Sequence, residues 1–342
     1  MKIVFGPTRY VLGVGVVAVM LVGCGGSQGP TVLSQGPAGI SQAAHGPMPQ
    51  ASPLFVPSRR AKRPGWLSPE ARQAATGIYY IYVADYDAGE ILIYPESGKL
   101  QSPIGMISSG ISAPWGLYID QDNVYVANSG NNTVTVYTAG STSPSATYSQ
   151  DLSRPLYPIV DSRGDLFVSN ANNGTVVEYP PGSTTASQVL QTPGNEADGM
   201  DFDPQGNLYV AYRNSSSYGV GSIEEFAAGS SQGRSLGMAL NQPQGVIVDN
   251  NDNILAVETG GTNRIDVFPP GDKTPSLELH TPNSDTPTQL AIFQNERELY
   301  LSAYSGTVYK THYPLRPRSS LLTKDDAKTL IQGLAITNGQ VF

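Results

Sequence analysis

The chain has 342 residues, enough for one large or two ordinary domains, and only 14% of them are charged, for a net charge of −8. Its 37 glycines, 27 prolines and 19 tyrosines call for many turns and aromatic strand positions and leave little room for amphipathic helices. Residues 1–77 carry seven basic residues against one acidic, leaving −14 on the remainder, which excludes nucleic acid as the main domain's partner; the one cysteine excludes an intrachain disulfide and a cysteine-based metal centre.

Lys2 and Arg9 form a positive start, and Tyr10 to Val22 is an apolar run of 13 residues. A membrane-spanning helix needs roughly 20 apolar residues, so the run reads as a targeting segment over 1–23. It ends in Leu21-Val22-Gly23-Cys24, followed by Gly25-Gly26-Ser27. This resembles the lipobox of bacterial lipoproteins, which implies cleavage before Cys24, diacylglycerol on its sulfur and an acyl chain on the new amine. A plain secretory signal with a cysteine at its cleavage site is the alternative. More than one acyl chain makes a firm anchor, at roughly 0.8 kcal/mol per buried methylene. Gly25 is not the Asp that this family associates with inner-membrane retention. The expected address is therefore the bacterial envelope, lipid-anchored and extracytoplasmic, at the outer membrane or cell surface.

Residues 24–65 are rich in Gly, Pro, Ser, Gln and Ala and cannot bury enough surface to offset ordering, so a flexible tether is expected. Its basic end (Arg59, Arg60, Lys62, Arg63) suits anionic head groups, or is simply solvated. Over 66–77, Ser68-Pro69-Glu70 reads as the start of one short capping helix, with Ser as N-cap and Pro in the first turn.

From residue 78 the chain repeats itself. IYVADYDAGEILIYP, VYVANSGNNTVTVYT, LFVSNANNGTVVEYP, LYVAYRNSSSYGVGSIEEFA, ILAVETGGTNRIDVFP and LYLSAYSGTVYKTHYP are six copies of one strand–loop–strand unit. Anchored on Tyr82, Tyr125, Phe167, Tyr209, Leu255 and Tyr300, they are spaced 43, 42, 42, 46 and 45 residues apart. Short β-rich runs at that period, punctuated by Gly, Pro and Asn, predict propeller blades. A second register, APWGLYID, RPLYPIVD, EADGMDFD, QPQGVIVD, TPTQLAIF and LIQGLAIT, supplies an innermost strand to each blade. Four of these end in Asp before a tight turn. The third strands end on Tyr94, Tyr137, Tyr179, Phe226, Phe268 and Tyr313, expected in the core, with Gly140, Gly182, Gly229 and Gly271 as hairpin turns into an irregular fourth strand.

The first blade has no inner strand of its own and the C-terminus has a spare one, so Gly333 to Thr337 is expected to pair with Ile78 to Val83 and close the ring. The fold class is all-β: a six-bladed propeller of four-stranded antiparallel blades over 78–342. The pattern P-x-G-Φ-x-Φ-D, turn, Φ-Y-V-A-N, then x-x-V-x-Y resembles NHL repeats and the related gluconolactonase and senescence-marker propellers over about 265 residues. Such repeats serve enzymes and pure binding modules alike.

The resemblance implies that the loops entering the inner strands and those leaving the second strands share one face around a central channel. The first set carries Trp115, Leu156, Asp198, Gln244, Thr288 and Gln332. The second carries Asp85, Asn128, Asn170, Tyr212, Glu258 and Ala303. Asp85, Asn128, Asn170, Asp198 and Glu258 are then oxygen ligands expected to converge on the channel, suited to Ca²⁺; the other reading is strand-end polar residues satisfied by solvent. Ala197-Asp198-Gly199-Met200 with Phe202-Asp203 resembles the gluconolactonase segment whose Asp binds the catalytic divalent metal, which maps to Asp198, with Glu258 and Asn170 nearest it. Leu156 stands where that family has an Asn ligand and Gln332 where it has a Glu. His45, His280 and His312 fall in the tether and on outer strands, so no His serves as general base at the mouth.

The fourth blade carries an insertion over 213–221 that brings Arg213 and Tyr218 beside Tyr212 at the mouth, residue types suited to adaptable contacts. Three functions follow. One is a non-catalytic, monomeric binding or scaffolding module offering its loop face to a protein, peptide or saccharide. Another is a divalent-metal hydrolase or lyase of the gluconolactonase kind. The third is a structural role in envelope assembly through the blade sides.

Overall fold

A computed structural model describes residues 80–95, 103–120, 123–138, 141–214, 220–293, 298–317, 319–320, 322–326 and 331–336. The leader, Cys24, the tether, the capping helix, Gly140 and Tyr218 lie outside the described residues.

Six four-stranded antiparallel sheets account for nearly all regular structure there, beside one 3₁₀ turn at Pro282–Ser284. The first sheet is built on β1 (Tyr80–Asp85), β2 (Glu90–Pro95) and β3 (Gly105–Ile107). The second holds β4 (Pro114–Asp120), β5 (Asn123–Asn128), β6 (Thr133–Thr138) and β7 (Ala146–Tyr148). The third holds β8 (Pro155–Val160), β9 (Leu166–Asn170), β10 (Thr175–Tyr179) and β11 (Gln188–Gln191). The fourth holds β12 (Glu196–Phe202), β13 (Leu208–Arg213), β14 (Gly221–Phe226) and β15 (Gly233–Ser235). The fifth holds β16 (Pro243–Val248), β17 (Ile254–Glu258), β18 (Arg264–Phe268) and β19 (Leu277–His280). The sixth holds β20 (Pro287–Phe293), β21 (Glu298–Ala303), β22 (Thr307–His312) and β23 (Leu322–Asp326). The last strand, β24 (Ile331–Ile336), is the inner strand of the first sheet. The result is a six-bladed β-propeller.

Ring closure takes the expected form. β24 pairs antiparallel with β1, matching Ile81 to Ile336, Tyr82 to Ala335, Val83 to Leu334 and Ala84 to Gly333. The six inner strands touch their neighbours in an unbroken circle, β24–β4–β8–β12–β16–β20 and back to β24.

The strands of the first blade show why the runs are so apolar. Tyr80, Tyr82, Ala84, Ile91 and Ile93 pack on Leu117, Val124 and Val126 of the second blade. The alternate residues Ile81, Val83, Leu92 and Tyr94 pack on Tyr300 and Val308 of the sixth blade and on Leu334 of the closing strand. Side chains alternate between the two faces of a strand, and both faces here are covered by other blades. Each fully buried Val, Leu or Ile contributes roughly 1.5–3 kcal/mol. The third-strand aromatics Tyr94, Tyr137, Tyr179, Phe226, Phe268 and Tyr313 are all buried.

The turns follow their side chains. Asp203 Oδ1 accepts the backbone N–H of Gln205 and of Asn207 at 3.0 and 2.8 Å, and Asp249 does the same for Asn251 and Asn253 at 2.9 and 2.7 Å. The hairpin glycine Gly182 sits at φ 73°. Gly116 answers a different need: a Cβ there would lie 2.4 Å from the Leu156 carbonyl oxygen of the next inner strand.

Removing residues 330–342 deletes β24 and exposes a sheet edge on β1. A urea or thermal melt of that truncation is expected to lose its single cooperative transition; an unchanged transition would refute the closure.

Candidate functional site

At one end of every blade the inner strand begins where the second strand stops. Asn128, Asn170 and Glu258 are paired in register with Pro114, Pro155 and Pro243. Each reaches back to the loop that leads into its own inner strand. Asn128 Oδ1 accepts the Ser112 N–H at 2.9 Å, Asn170 Oδ1 the Ser153 N–H at 2.9 Å, and Glu258 Oε1 the Asn241 N–H at 2.7 Å. The amide of Asn170 donates to Asp151 O at 3.0 Å and Thr175 Oγ1 at 2.9 Å, and that of Asn128 to Thr135 Oγ1 at 2.9 Å. Asp85 accepts the Ala88 N–H at 2.9 Å inside its own hairpin.

This corrects the expectation that Asp85, Asn128, Asn170 and Glu258 converge on the channel as ligands. The loops present unsatisfied backbone N–H groups within reach of each strand end, and a buried polar side chain must be hydrogen-bonded. These four residues are loop ties. Among the described residues no three His, Cys, Asp or Glu side chains come together as a metal site.

The other expected positions lie at the start of the inner strands. Pairing shifts register between Pro114 and Leu117, Pro155 and Pro158, Ala197 and Met200, Pro243 and Gly245, and Pro287 and Leu290. Such bulges re-aim side chains. Trp115, Leu156, Asp198, Gln244 and Thr288 fall inside these shifts and are buried rather than open to solvent. Gln332 takes the corresponding place in β24.

One residue further along, four repeats have glycine (Gly116, Gly199, Gly245, Gly333), while the third and sixth blades have Tyr157 and Gln289. Those two side chains bridge the ring. The Tyr157 hydroxyl reaches the Thr288 carbonyl of the sixth blade at 3.4 Å. Gln289 donates to the Leu117 carbonyl of the second blade at 3.2 Å and accepts the Leu334 N–H of the first at 2.9 Å. The sequence reading missed both, although a side chain where four repeats have glycine was the signal.

The charged centre of the ring head is Asp198 with Arg213. Arg213 Nε lies 3.3 Å from Asp198 Oδ2 and 2.5 Å from Glu196 Oε2. Burial pushes the Asp198 carboxyl up to about 7, reinforced by Glu196 and opposed by Arg213 and Arg154. Arg213 is held protonated well above its ordinary range, chiefly by Asp198. Burial, and then the Asp198 charge, push the Tyr157 phenol far above its usual value. Gln244 Nε2 donates to the Tyr304 hydroxyl at 3.1 Å. On the second-blade side, the Arg154 guanidinium lies 5.5 Å above the Trp115 ring, and Tyr86 meets that ring edge-on at 5.9 Å. Tyr212 turns away, its hydroxyl 3.0 Å from Ser235 Oγ. Arg154, Tyr157 and Tyr304 were not among the expected site residues.

A family model for the NHL repeat matches residues 112–137, which run from the loop before β4 into the end of β6. A solved structure entitled "Crystal structure of Nidogen/Laminin Complex" superposes with a TM-score of 0.60 at 18% identity, covering 77% of this chain and 99% of that one. No curated protein matches the sequence. Together these define the class: a six-bladed β-propeller carrying an NHL repeat.

Two outcomes test the site's construction. Asn170→Ala takes the side-chain partner from the Ser153 N–H and the Asp151 carbonyl and is expected to cost about 1–3 kcal/mol in urea unfolding, against under about 0.5 kcal/mol for the exposed Asn131→Ala. The second concerns Asp201, whose carboxylate accepts the Val248 N–H at 2.8 Å and the Phe202 N–H at 2.9 Å yet is pushed by burial up to about 7. In the window from the ordinary carboxylate range up to about 7 the folded state binds the extra proton, so stability falls as pH rises through it and levels off above. Melting temperatures across that window are expected to show this slope, and Asp201→Asn to reduce it, the remainder coming from Asp198 and Asp266, which burial also raises, to about 7 and about 6.

Proposed function

We propose that the chain is a membrane-tethered, extracytoplasmic binding or scaffolding module that uses the loop face of its propeller. The observation that carries this reading is the Asp198–Arg213 pair. Resemblance to gluconolactonases would place a divalent metal on Asp198. In this chain a guanidinium 3.3 Å away supplies the compensating charge and would repel a cation. The other two residues expected near that metal are committed elsewhere: Asn170 to Ser153, Asp151 and Thr175, and Glu258 to Asn241 and Arg264. Leu156, where the resemblance expects an Asn ligand, is buried and apolar. The residues present do not fit a catalytic divalent metal. They fit a rigid face, with the loops of the second, third and fifth blades tied back to their own strands, on which recognition groups are held in place. The anchor is carried by Cys24 and the lipobox-like residues before it, and the acidic propeller argues for a protein, peptide or saccharide partner and against polyanions. The module acts as a monomer.

Two measurements test this reading. Metal analysis of the purified protein is expected to show no stoichiometric Ca²⁺ or Zn²⁺ and no calcium-dependent change in melting. Tightly bound metal that disappears in Asp198→Ala would transfer the protein to the hydrolase class. In detergent phase separation of cells expressing the full chain, the protein is expected in the detergent phase and Cys24→Ser in the aqueous phase; equal partitioning would remove the lipid anchor.

A further inference from the structure

The fifth blade departs from its neighbours at the rim. In the second and third blades the residue that ties the loop is a neutral asparagine, Asn128 or Asn170. In the fifth it is Glu258, whose Oε1 accepts the Asn241 N–H at 2.7 Å. The third strand changes with it. Two residues before the buried aromatic, the first, second, third and sixth blades have Leu92, Thr135, Val177 and Thr311, whereas the fifth has Asp266. Arg264 stands between Glu258 and Asp266. Its Nε lies 3.1 Å from Glu258 Oε2 and 2.8 Å from Asp266 Oδ1, and its Nη1 lies 3.0 Å from Glu278 Oε1 on the outermost strand. The side chains of Glu258 and Asp266 are 1% and 2% exposed, and that of Glu278 is 44% exposed.

Three carboxylates therefore meet one guanidinium, most of them inside a seam between blades. Ala256, paired in register with Asp266, packs on Tyr209, Ala211, Ile223, Met238 and Leu240, so the fourth blade covers this face. The charges it brings gather around Tyr209: Glu225, which pairs with Arg234, and Asp203, with Asp252 of the fifth blade beside them. His280 stands opposite Arg264 in register, but it is exposed and its Nδ1 lies 3.3 Å from the Thr262 carbonyl oxygen. Like charges that share one site cannot all ionise freely, and such a group takes up a proton as a unit. Burial, and then Glu258, push the Asp266 carboxyl up to about 6, against the pull of Arg264.

We propose that the Arg264 cluster is a proton-operated clasp on the loop face: with one proton bound it keeps Glu258 on the Asn241 N–H, and when that proton leaves, repulsion among the three carboxylates loosens the tie. The folded cluster holds its proton below about pH 6 and gives it up above, so the loop leading into β16 is held firmly in acid and slackens as pH rises. This inference concerns the mechanics of the face and does not depend on what the face binds.

The neutral ties of the second and third blades are the internal control. Amide hydrogen exchange, corrected for the intrinsic effect of pH on the chemistry, is followed in the full chain at Asn241, Ser112 and Ser153 on both sides of the titration. Protection at Asn241 is expected to fall about tenfold as pH rises through about 6, while Ser112 and Ser153, held by asparagines, stay level. Asp266→Asn is expected to remove the step. Glu278→Gln, which takes away one carboxylate at an exposed position, is expected to move it to lower pH. Should Asp266→Asn fail to fold, Glu278→Gln carries the comparison. Protection at Asn241 that merely tracks Ser112 and Ser153, a step that survives Asp266→Asn, or a midpoint unmoved by Glu278→Gln would overturn the proposal.

Discussion

The constraint on which the molecule depends is that no blade has a free face. Alternate residues of β1 are claimed by the second blade on one side and the sixth on the other, so a single blade taken alone would expose two apolar surfaces. A stack of such units satisfies all of its members only by returning to its beginning. The chain does so by holding back one inner strand until its last residues and setting it beside its first strand. Because the inner strands then meet in a circle, their opening residues come together from distant parts of the sequence, and the ring head exists as a consequence of closure.

Polar groups around that head fall into two populations with different work. Asn128, Asn170 and Glu258 look back to the loops of their own blades and make the rim stiff. Trp115, Asp198 and Gln244 sit at a repeated register shift, where Asp198 meets Arg213 and Gln244 meets Tyr304 of other strands. Stiffness in the first population fixes the second, since side chains on slack supporting loops would not hold these contacts in place.

Much of this was legible in the sequence. The period and blade count could be read because burial on both faces makes every strand a dense apolar run, and closure because six inner strands and six hairpins are offset by one. The ring positions could be read because the repeats align without gaps, so that Trp115, Leu156, Asp198, Gln244 and Thr288 fall in one column. The direction of the strand-end residues could not. Whether Asn170 points to the channel or to Ser153 is decided by a register shift and a rotamer, neither of which leaves a mark in composition. The Asp198–Arg213 pair was hidden for a similar reason: the register of β12 on β13 sets Arg213 opposite Glu196, two residues from Asp198. Tyr157 and Gln289 were visible as departures from a glycine column, but only the folded ring shows that they reach across it.

That reach gives the propeller spokes as well as a rim. The straps run from the third blade to the sixth and from the sixth to the first and second, tying together blades far apart in sequence. A displacement of one blade is therefore felt directly by the blade opposite, and not only by its neighbours around the hoop.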